Sequence, residues 1–193
     1  MRLAIFGGTF DPPHIGHLLA AGDAADQLQL ARVIFVPAAT QPLKAGRVTA
    51  AAEHRVAMVR LLVEGDPRFH VSEVEVDRAG LSFTVDTLTH FAGQYPSDER
   101  YLLLGKDVLG TFDQWKDPSR VVSLARPVLL VRGDEIDAPL PVAMRDAEVR
   151  RLQTRRVDVS STEIRQRVRD GRSIKGFTTD GVAAYIARAG LYR

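Results

Sequence analysis

The stretch that decides the fold is residues 5–18, IFGGTFDPPHIGHL. The apolar residues 3–6 stop at the glycine pair Gly7-Gly8, and apolar residues recur at helical spacing from Leu18 onward. This order predicts a buried parallel strand, a glycine turn and a helix N-terminus. Such a helix start binds anions, because its first N–H groups have no partner within the helix and its dipole favours negative charge.

Glycine and histidine residues within this turn predict a phosphate site. Gly7 and Gly8 let a ligand approach the backbone closely, while His14 and His17, on either side of Gly16, can face the same anion. A glycine pair alone is usually only a turn, and a single histidine is usually a surface or packing residue, so the prediction depends on their combination. The spacing matches neither G-x-G-x-x-G nor G-x-x-x-x-G-K-[ST], which argues against a dehydrogenase or P-loop site here.

The segment GGTFDPPHIGHL, residues 7–18, closely resembles the N-terminal signature of the nucleotidyltransferases with an H-x-G-H motif, and among them the bacterial nicotinate-nucleotide adenylyltransferases. The letters HIGH also mark class I aminoacyl-tRNA synthetases, so the specific signal is the full twelve-residue segment. The resemblance implies that His14 and His17 are catalytic, whereas Asp11 suits an organiser of the turn better than a nucleophile. The implied nucleotide-binding positions are Gly7, Gly8, Thr9, Phe10 and Gly16.

Length and composition fit one α/β domain. The 193 residues are 45% hydrophobic and 26% charged, and we expect a single nucleotidyltransferase domain, residues 1–193, whose C-terminal part, residues 160–193, is helical. The predicted fold is a Rossmann-like, doubly wound parallel sheet with helices on both faces and a small C-terminal helical extension. The absence of cysteine excludes disulfides, thiolate catalysis and cysteine-bound zinc. The first apolar run, of about four residues, is too short for a signal peptide and no run reaches membrane-spanning length, so we expect a cytoplasmic chain with no membrane partner.

Apolar patterns predict the remaining elements. Buried strands are expected at residues 33–36, 101–104 and 127–131, a short last strand at 157–159, and helices at 49–64 and from residues 82 and 160 onward. Residues 69–76 read as a strand with a bulge near Ser72-Glu73, because the apolar residues change phase there. Residues 145–156 hold five arginines, interleaved with acidic residues and without aromatics. We interpret them as a solvated helix face and expect no nucleic-acid partner.

The loop of residues 37–46, PAATQPLKAG, contains a lysine that could reach a triphosphate, Lys44. A solvated loop lysine is an equal alternative from the residues alone. The resembled family carries Pro-His-Lys or Pro-His-Arg here, whereas this chain has Pro42-Leu43-Lys44 and lacks that histidine. The resemblance implies a catalytic phosphate contact for Lys44, without the contribution of the missing histidine.

Residues 78–88, RAGLSFTVDTL, resemble a second family block, R-x-G-x-S-[YF]-T-x-D-T-L. Helical spacing begins here, with Ser82 or Thr84 as the candidate N-cap. Because a helix start can receive a carboxylate, the resemblance implies that Thr84 and its neighbours contact the nicotinate carboxylate. Trp115 by itself is more typical of a packing residue, and the resemblance implies that it stacks on the nicotinate ring.

Two strand ends carry further candidates. Gly105-Lys106-Asp107 follows a predicted strand, at the edge where an α/β sheet binds ligands. The resemblance implies that Gly105 and Asp107 lie near the nucleotide ribose or phosphates. It also implies that Arg132, at the end of the next predicted strand, contacts adenine or a phosphate.

Residues 160–165, SSTEIR, predict a second anion-binding helix start. Ser160 and Glu163 fit a capping box, which leaves an arginine one turn into the helix and two further hydroxyl groups unexplained. The segment resembles the family's I-S-S-T-x-I-R motif, with valine in place of the first isoleucine. The positions that this resemblance assigns to the ATP phosphates are Ser161, Thr162 and Arg165.

Two anion-binding helix starts can enclose one polyphosphate. This arrangement suits attack by the 5′-phosphate of a mononucleotide on the α-phosphorus of ATP, with the histidines donating hydrogen bonds and Arg165, Lys44 and a Mg²⁺ ion offsetting the charge of pyrophosphate. No protein ligands to the metal are expected, because phosphates and water would hold it. The resemblance, over five blocks in the expected order, implies the synthesis of deamido-NAD from ATP and nicotinate mononucleotide in NAD biosynthesis.

Three alternatives differ in substrate or class. Phosphopantetheine adenylyltransferase shares the H-x-G-H chemistry but lacks the blocks around Thr84 and Trp115. A tRNA synthetase would need a K-M-S-K-S-like loop and an anticodon domain, which this sequence lacks. A non-catalytic nucleotide- or RNA-binding module would bind ATP without releasing pyrophosphate. The sequence leaves open the choice between nicotinate and nicotinamide mononucleotide, and whether the chain forms a homo-oligomer.

Overall fold

The computed structural model describes residues 1–42, 50–132 and 139–193, with the side chain of Arg132 excluded. Its strands within these ranges are β1 (Arg2–Gly8), β2 (Arg32–Pro37), β3 (Phe69–Val71), β4 (Glu99–Gly105), β5 (Arg126–Arg132) and β6 (Arg150–Thr154). They form one parallel sheet in the order β3-β2-β1-β4-β5-β6. The order reverses between β1 and β4, as in doubly wound nucleotide-binding folds, which confirms the predicted Rossmann-like sheet.

Helices connect the strands and cover both faces of the sheet. They are α1 (Ile15–Leu28), α2 (Ala52–Val63), α3 (Val74–Arg78), α4 (Thr84–Gln94), α5 (Pro118–Leu124), α6 (Ser161–Arg169) and α7 (Asp180–Ala189), with 3₁₀ helices at Lys106–Gln114 and Val142–Met144. None of the helices in the described ranges combines the length and the apolar character needed to cross a membrane.

Successive residues of the central strands pack into opposite layers. Along β1, Ala4 and Phe6 pack against residues of α1, α2 and α7. Leu3 and Ile5 pack on the other face, against residues of α4 and α5. Because the sheet is buried on both faces, its central strands read as continuous apolar runs instead of alternating ones.

The prediction of one strand over residues 69–76 is wrong. β3 ends at Val71, and α3 begins at Val74. The backbone N–H of Ser72 still donates to the carbonyl of Phe35 (2.9 Å), which continues the pairing with β2 one residue beyond β3. The change of phase near Ser72-Glu73 therefore marks a switch from strand to helix and not a bulge.

The predictions of a helix face at 145–156 and of a strand at 157–159 are also wrong, because the last strand is β6. Leu152 and Thr154 are buried, while the residues between and before them are exposed, which is the period of a strand. The Thr154 hydroxyl donates to the carbonyl of Val131 (3.2 Å). β6 lies at the edge of the sheet, where charged side chains oppose pairing with another chain. Because two of its five residues are arginines, the sequence of β6 does not show the alternation of polar and apolar residues that is typical of a strand.

The C-terminal part is helical, as predicted, and its helix boundaries follow the capping signals in the sequence. The Ser160 hydroxyl accepts a hydrogen bond from the N–H of Glu163 at the start of α6 (3.1 Å). The Thr179 hydroxyl accepts from the N–H of Val182 at the start of α7 (3.5 Å), and Gly190 ends that helix with φ at +64°. Val182 is buried in the core shared with α1 and α2, so this part belongs to the same core as those helices.

Candidate active site

A cavity of about 840 Å³ opens at the carboxyl ends of β1 and β4, where the strand order reverses. Open α/β sheets bind their ligands at this position. The cavity brings together residues from the N-terminal turn, the start of α4, the end of β4 and the start of α6. The sequence-predicted site residues that line it are Gly7, Gly8, Thr9, Phe10, His14, Gly16, His17, Thr84, Gly105, Asp107, Trp115, Ser161, Thr162 and Arg165.

Two predicted site residues lie beyond what the structure describes of this cavity. Lys44 is outside the described residues, in the gap at 43–49. Arg132 is the last residue of β5, but its side chain also lies outside the described part of the structure. Their phosphate and adenine contacts therefore stay predictions.

Two glycines of the N-terminal signature make room for side chains. A Cβ atom at Gly8 would lie 2.9 Å from the ring of Phe10, and one at Gly16 would lie 3.0 Å from Nδ1 of His14. Phe10 itself has a positive φ of 52°, which is uncommon for a residue with a side chain. These glycines are needed because the aromatic and imidazole rings pack directly on the backbone.

Gly105 and Gly7 differ in what occupies the space beside them. A Cβ atom at Gly105 would lie 2.6 Å from Oδ1 of Asp107, so this glycine makes room for the carboxylate. A Cβ atom at Gly7 would meet nothing within 4 Å, although Gly7 lines the cavity. The protein itself therefore leaves the space at Gly7 open for a ligand.

The two histidines are oriented by their own turn. The backbone N–H of His14 donates to Nδ1 of His17 (3.1 Å), and the two ring centroids lie 3.7 Å apart. Because Nδ1 of His17 accepts a hydrogen bond, a neutral His17 ring carries its proton on Nε2. The Phe10 ring also meets the His17 ring edge-on, with centroids 5.1 Å apart. The turn thus presents Nε2 of His17 as a hydrogen-bond donor.

Asp11 is buried and stabilises the turn through hydrogen bonds to its side chain. Its Oδ1 atom accepts hydrogen bonds from the N–H of Ala50 (3.2 Å) and from the hydroxyl of Tyr192 (2.7 Å). Only 4% of Asp11 is exposed. These contacts support its interpretation as an organiser of the turn.

Arg55, a buried arginine of α2, supports the cavity from behind. Its guanidinium donates to the carbonyls of Thr9 (2.8 Å), Ala39 (3.0 Å) and Ala50 (3.2 Å), and only 1% of the residue is exposed. Burial lowers the pKa of Arg55, while the negative charge of Asp11 opposes that shift. The guanidinium therefore connects three segments by hydrogen bonds: the N-terminal turn, the residues after β2 and the start of α2.

The start of α6 contacts the N-terminal turn directly. The Ser161 hydroxyl donates to the carbonyl of Pro12 (2.7 Å). Arg165 donates through Nη1 to the carbonyl of Asp11 (2.7 Å) and through Nη2 to the Thr162 hydroxyl (3.2 Å). Because the Ser161 hydroxyl donates its proton to this carbonyl, its backbone N–H is the better candidate for a phosphate contact.

α4 starts at the cavity without a side-chain cap. Its N-cap residue is Phe83, which has no side-chain acceptor, so the expectation of Ser82 or Thr84 as N-cap is wrong. The Ser82 hydroxyl instead accepts from the N–H of Ala39 (2.9 Å) and fixes this segment to the end of β2. The uncapped helix start at Thr84 remains suited to an anion.

Trp115 lies on the cavity wall beside this helix start. Its ring packs on the buried Phe112 ring, with centroids 4.9 Å apart. The neighbouring Lys116 lies 4.8 Å from the centroid of the Phe83 ring and 3.1 Å from both carboxylate oxygens of Asp86. An aromatic surface and a cation therefore lie close to the open end of α4.

Glu75 is a buried carboxyl group on the same wall. Its Oε1 atom accepts a hydrogen bond from the Thr87 hydroxyl (2.6 Å). Burial raises the pKa of Glu75, and hydrogen bonds from Thr87 and Ser82 and the charge of Arg78 oppose that shift. The carboxyl joins α3 to α4 and to the segment that precedes α4.

Sequence reasoning did not single out Arg55, Glu75 or Lys116. Arg55 has a signal in hindsight, since it is a lone charge on an apolar helix face, with Val59 and Leu62 at the following i+4 and i+7 positions. The surroundings of Glu75 and Lys116 depend on the packing of separate segments, so neither has a comparable local pattern. In the described ranges, no group of three or more His, Asp or Glu side chains could hold a metal ion.

Comparisons with known proteins agree with this geometry. A cytidylyltransferase-like family model matches residues 5–167. Among curated relatives, a probable nicotinate-nucleotide adenylyltransferase of Gemmatimonas aurantiaca is 50% identical, covering 100% of this chain and 93% of the relative. A relative of the same description in Thermus thermophilus is 44% identical, covering 100% of both chains. The solved Plasmodium falciparum nicotinic acid mononucleotide adenylyltransferase, complexed with NaAD, has a TM-score of 0.80 at 17% identity, covering 99% of this chain and 97% of that chain.

Proposed function

We propose how this cavity performs the reaction of the family to which the chain belongs, the nicotinate-nucleotide adenylyltransferases within the cytidylyltransferase-like family. That reaction transfers the adenylyl group of ATP to nicotinate mononucleotide and yields deamido-NAD and pyrophosphate in NAD biosynthesis. The observation that carries the proposal is the meeting of two helix starts, those of α1 and α6, at one cavity. Both helix starts favour an anion, so together they suit a triphosphate.

In the proposed reaction, an oxygen of the acceptor 5′-phosphate attacks the α-phosphorus of ATP. A new P–O bond forms as the bond between the α-phosphorus and the bridging oxygen of the β-phosphate breaks, and pyrophosphate leaves with that oxygen. The protein contributes positioning and charge neutralisation and needs no covalent intermediate. Nε2 of His17, His14 and Arg165 donate hydrogen bonds to phosphate oxygens, and Lys44 adds charge at the β- and γ-phosphates.

The nucleotide is proposed to lie along the ends of β1, β4 and β5. Its phosphates contact the turn that follows β1 and the first residues of α6, listed here as Gly7, Gly8, Thr9, Phe10, Gly16, Ser161 and Thr162. Gly105 and Asp107 face the ribose, where the carboxylate can accept hydrogen bonds from hydroxyl groups. Arg132, at the end of β5, contacts adenine or a phosphate.

The acceptor is proposed to bind on the side of α4. The uncapped N-terminus of α4 at Thr84 receives the pyridine carboxylate, and the ring of Trp115 stacks on the pyridine. Both features favour a flat ring that carries a carboxylate. They support nicotinate, with its carboxylate, over nicotinamide, with its uncharged carboxamide, as the preferred acceptor base.

A magnesium ion is the proposed cofactor. Asp11, the acidic residue of the N-terminal turn, accepts hydrogen bonds from Ala50 and Tyr192, so it does not suit a metal ligand. Substrate phosphates and water suit Mg²⁺ as ligands and would hold it in place. When bound, the ion supplies positive charge that offsets the charge of the leaving pyrophosphate.

Residues 1–193 are proposed to form one nucleotidyltransferase domain, because α7 packs into the same core as α1 and α2. The proposed partners are ATP and nicotinate mononucleotide, without nucleic acid. The proposed location is the cytoplasm, a reducing compartment that suits a chain without cysteine.

The test is pyrophosphate release from ATP and Mg²⁺ with nicotinate mononucleotide, nicotinamide mononucleotide and phosphopantetheine in parallel. We expect strong preference for nicotinate mononucleotide. Activity only with phosphopantetheine would contradict the assignment of the acceptor side, and ATP binding without release for all three would favour a binding module.

A matched pair of glycine variants tests the open space at Gly7. A Cβ atom added at Gly7 or at Gly22, which lies within α1, would meet no atom within 4 Å, and only Gly7 lines the cavity. Gly7→Ala should fold normally and raise the KM for ATP by about tenfold or more, because the methyl group occupies space that the phosphates need. Gly22→Ala should leave the KM unchanged and stabilise the helix slightly. Equal KM values for the two variants would contradict the proposed position of ATP.

A further inference from the structure

The C-terminal part of the chain holds the backbone of the N-terminal turn. Three successive carbonyls, those of residues 11–13, each accept a hydrogen bond from it. The donors are Arg165 to Asp11 (2.7 Å), Ser161 to Pro12 (2.7 Å) and Thr178 to Pro13 (3.0 Å). The shape of the turn that carries the histidines therefore depends on distant residues, at separations of 149 to 165 positions along the chain.

Tyr192 adds a fourth contact, and it reaches the side chain of Asp11 instead of the backbone. Its hydroxyl donates to Oδ1 of Asp11 at 2.7 Å, across 181 residues. The backbone of Tyr192 has a φ of +66°, a conformation that costs energy for a residue with a side chain and persists where the surroundings hold it. Burial raises the pKa of Tyr192, so the phenol keeps the proton that it donates.

Asp11 lies where several groups converge. Its carboxylate accepts a hydrogen bond from the N–H of Ala50, and its backbone carbonyl accepts one from Arg165. Its negative charge also acts on the buried Arg55. The hydrogen bond from the Tyr192 hydroxyl to the carboxylate is shorter than the one from the N–H of Ala50. A shift of Asp11 would move the segment that leads directly into His14.

We propose that Tyr192 is a positioning residue for the ATP-binding turn, which it holds through the carboxylate of Asp11 in the conformation that presents His14 and His17. This inference rests on the proposed function for its effect on turnover, while its effect on ATP affinity can be measured separately. Tyr192 touches neither substrate in this scheme and acts only through Asp11.

The experiment compares Tyr192→Phe with Tyr185→Phe. Tyr185 lies on α7, and its hydroxyl pairs with Nδ1 of His54 at 2.9 Å, so each variant removes one hydroxyl and one hydrogen bond from the C-terminal part. Both should lower Tm, Tyr185→Phe by about 2–4 °C and Tyr192→Phe by more, because its hydroxyl donates to a carboxylate. Only Tyr192→Phe should weaken ATP binding measured by calorimetry, by about tenfold, because it alone loses a hydrogen bond to a carboxylate at the turn. It should also lower kcat and leave the KM for nicotinate mononucleotide within about twofold.

A double variant tests the route through Asp11. If Tyr192 acts only on this carboxylate, Asp11→Ala with Tyr192→Phe should bind ATP no more weakly than Asp11→Ala alone, because alanine leaves the Tyr192 hydroxyl without its acceptor. Independent, multiplying effects would overturn the inference, and so would equal losses of ATP affinity in the two tyrosine variants. If the wild-type chain releases no pyrophosphate, the proposed function fails, whereas the ATP affinities of the variants still decide the role of Tyr192.

Discussion

Replacing Arg55 with methionine should lower the free energy of unfolding by about 3–5 kcal/mol. Arg55 is among the largest side chains of the described residues with less than 2% exposure, and methionine keeps most of its apolar stem while removing the guanidinium. The change therefore tests the polar contacts of this residue with little change in packing.

The magnitude follows from the hydrogen bonds that are lost. The guanidinium donates to three backbone carbonyls, those of Thr9, Ala39 and Ala50, at 2.8, 3.0 and 3.2 Å. An acceptor left without a donor costs about 1–3 kcal/mol when it is buried and less where water reaches it. The bond to Ala50 is buried and those to Thr9 and Ala39 are part-buried, so together they account for about 3 kcal/mol. Asp11 also loses a nearby positive charge, and a buried charge that loses its counter-charge costs up to about 3–5 kcal/mol, which sets the upper end of the range.

The assay is equilibrium unfolding in urea, with Tm measured by calorimetry. At this chain length the expected loss corresponds to a fall in Tm of roughly 6–20 °C. Arg60→Met is the control, because Arg60 lies on the same helix but has a side chain that is 62% exposed, so its pair with Glu73 should contribute about 1 kcal/mol or less. If the two variants lost the same stability, the reasoning about Arg55 would be refuted.

Three further predictions concern single residues that line the cavity. His17→Ala should lower turnover by about 10²-fold with unchanged circular dichroism, and near-normal turnover would remove His17 from the site. Gly105→Ala should lower kcat/KM for ATP by about tenfold or more with little change in Tm. The reason is that the new Cβ would displace the carboxylate of Asp107, which lies 2.6 Å from that position. Unchanged kinetics would exclude a role for this carboxylate. Burial raises the pKa of Glu75 above its ordinary value of 4.5, so the folded protein binds this proton more tightly than the unfolded chain does. The free energy of unfolding of the wild type should therefore fall, relative to that of Glu75→Gln, as pH rises from about 4.5 to the raised pKa. Unfolding in urea between about pH 4 and 7 measures this difference, and a difference that does not change with pH would contradict the assignment.

Local patterns in the sequence are enough to predict the strand, turn and helix of residues 3–28 and the caps at Ser160 and Thr179. These features depend on neighbouring residues, because a cap or an apolar period is complete within a few positions. The glycine turn and the two anion-binding helix starts could be predicted for the same reason. Their meeting at one cavity follows from the parallel order of the strands.

The tertiary structure decided what depends on distant contacts. The sequence predicted a helix where β6 runs, because the arginines of an edge strand hide its period and its partner β5 lies elsewhere in the chain. Neither the bond between Asp11 and Tyr192, 181 residues apart, nor the three carbonyls held by Arg55 has a local pattern. Hydrogen bonds between distant residues form only when the sheet and its helices have packed, so the sequence determined the chemistry of the turn and the tertiary structure determined what holds it in place.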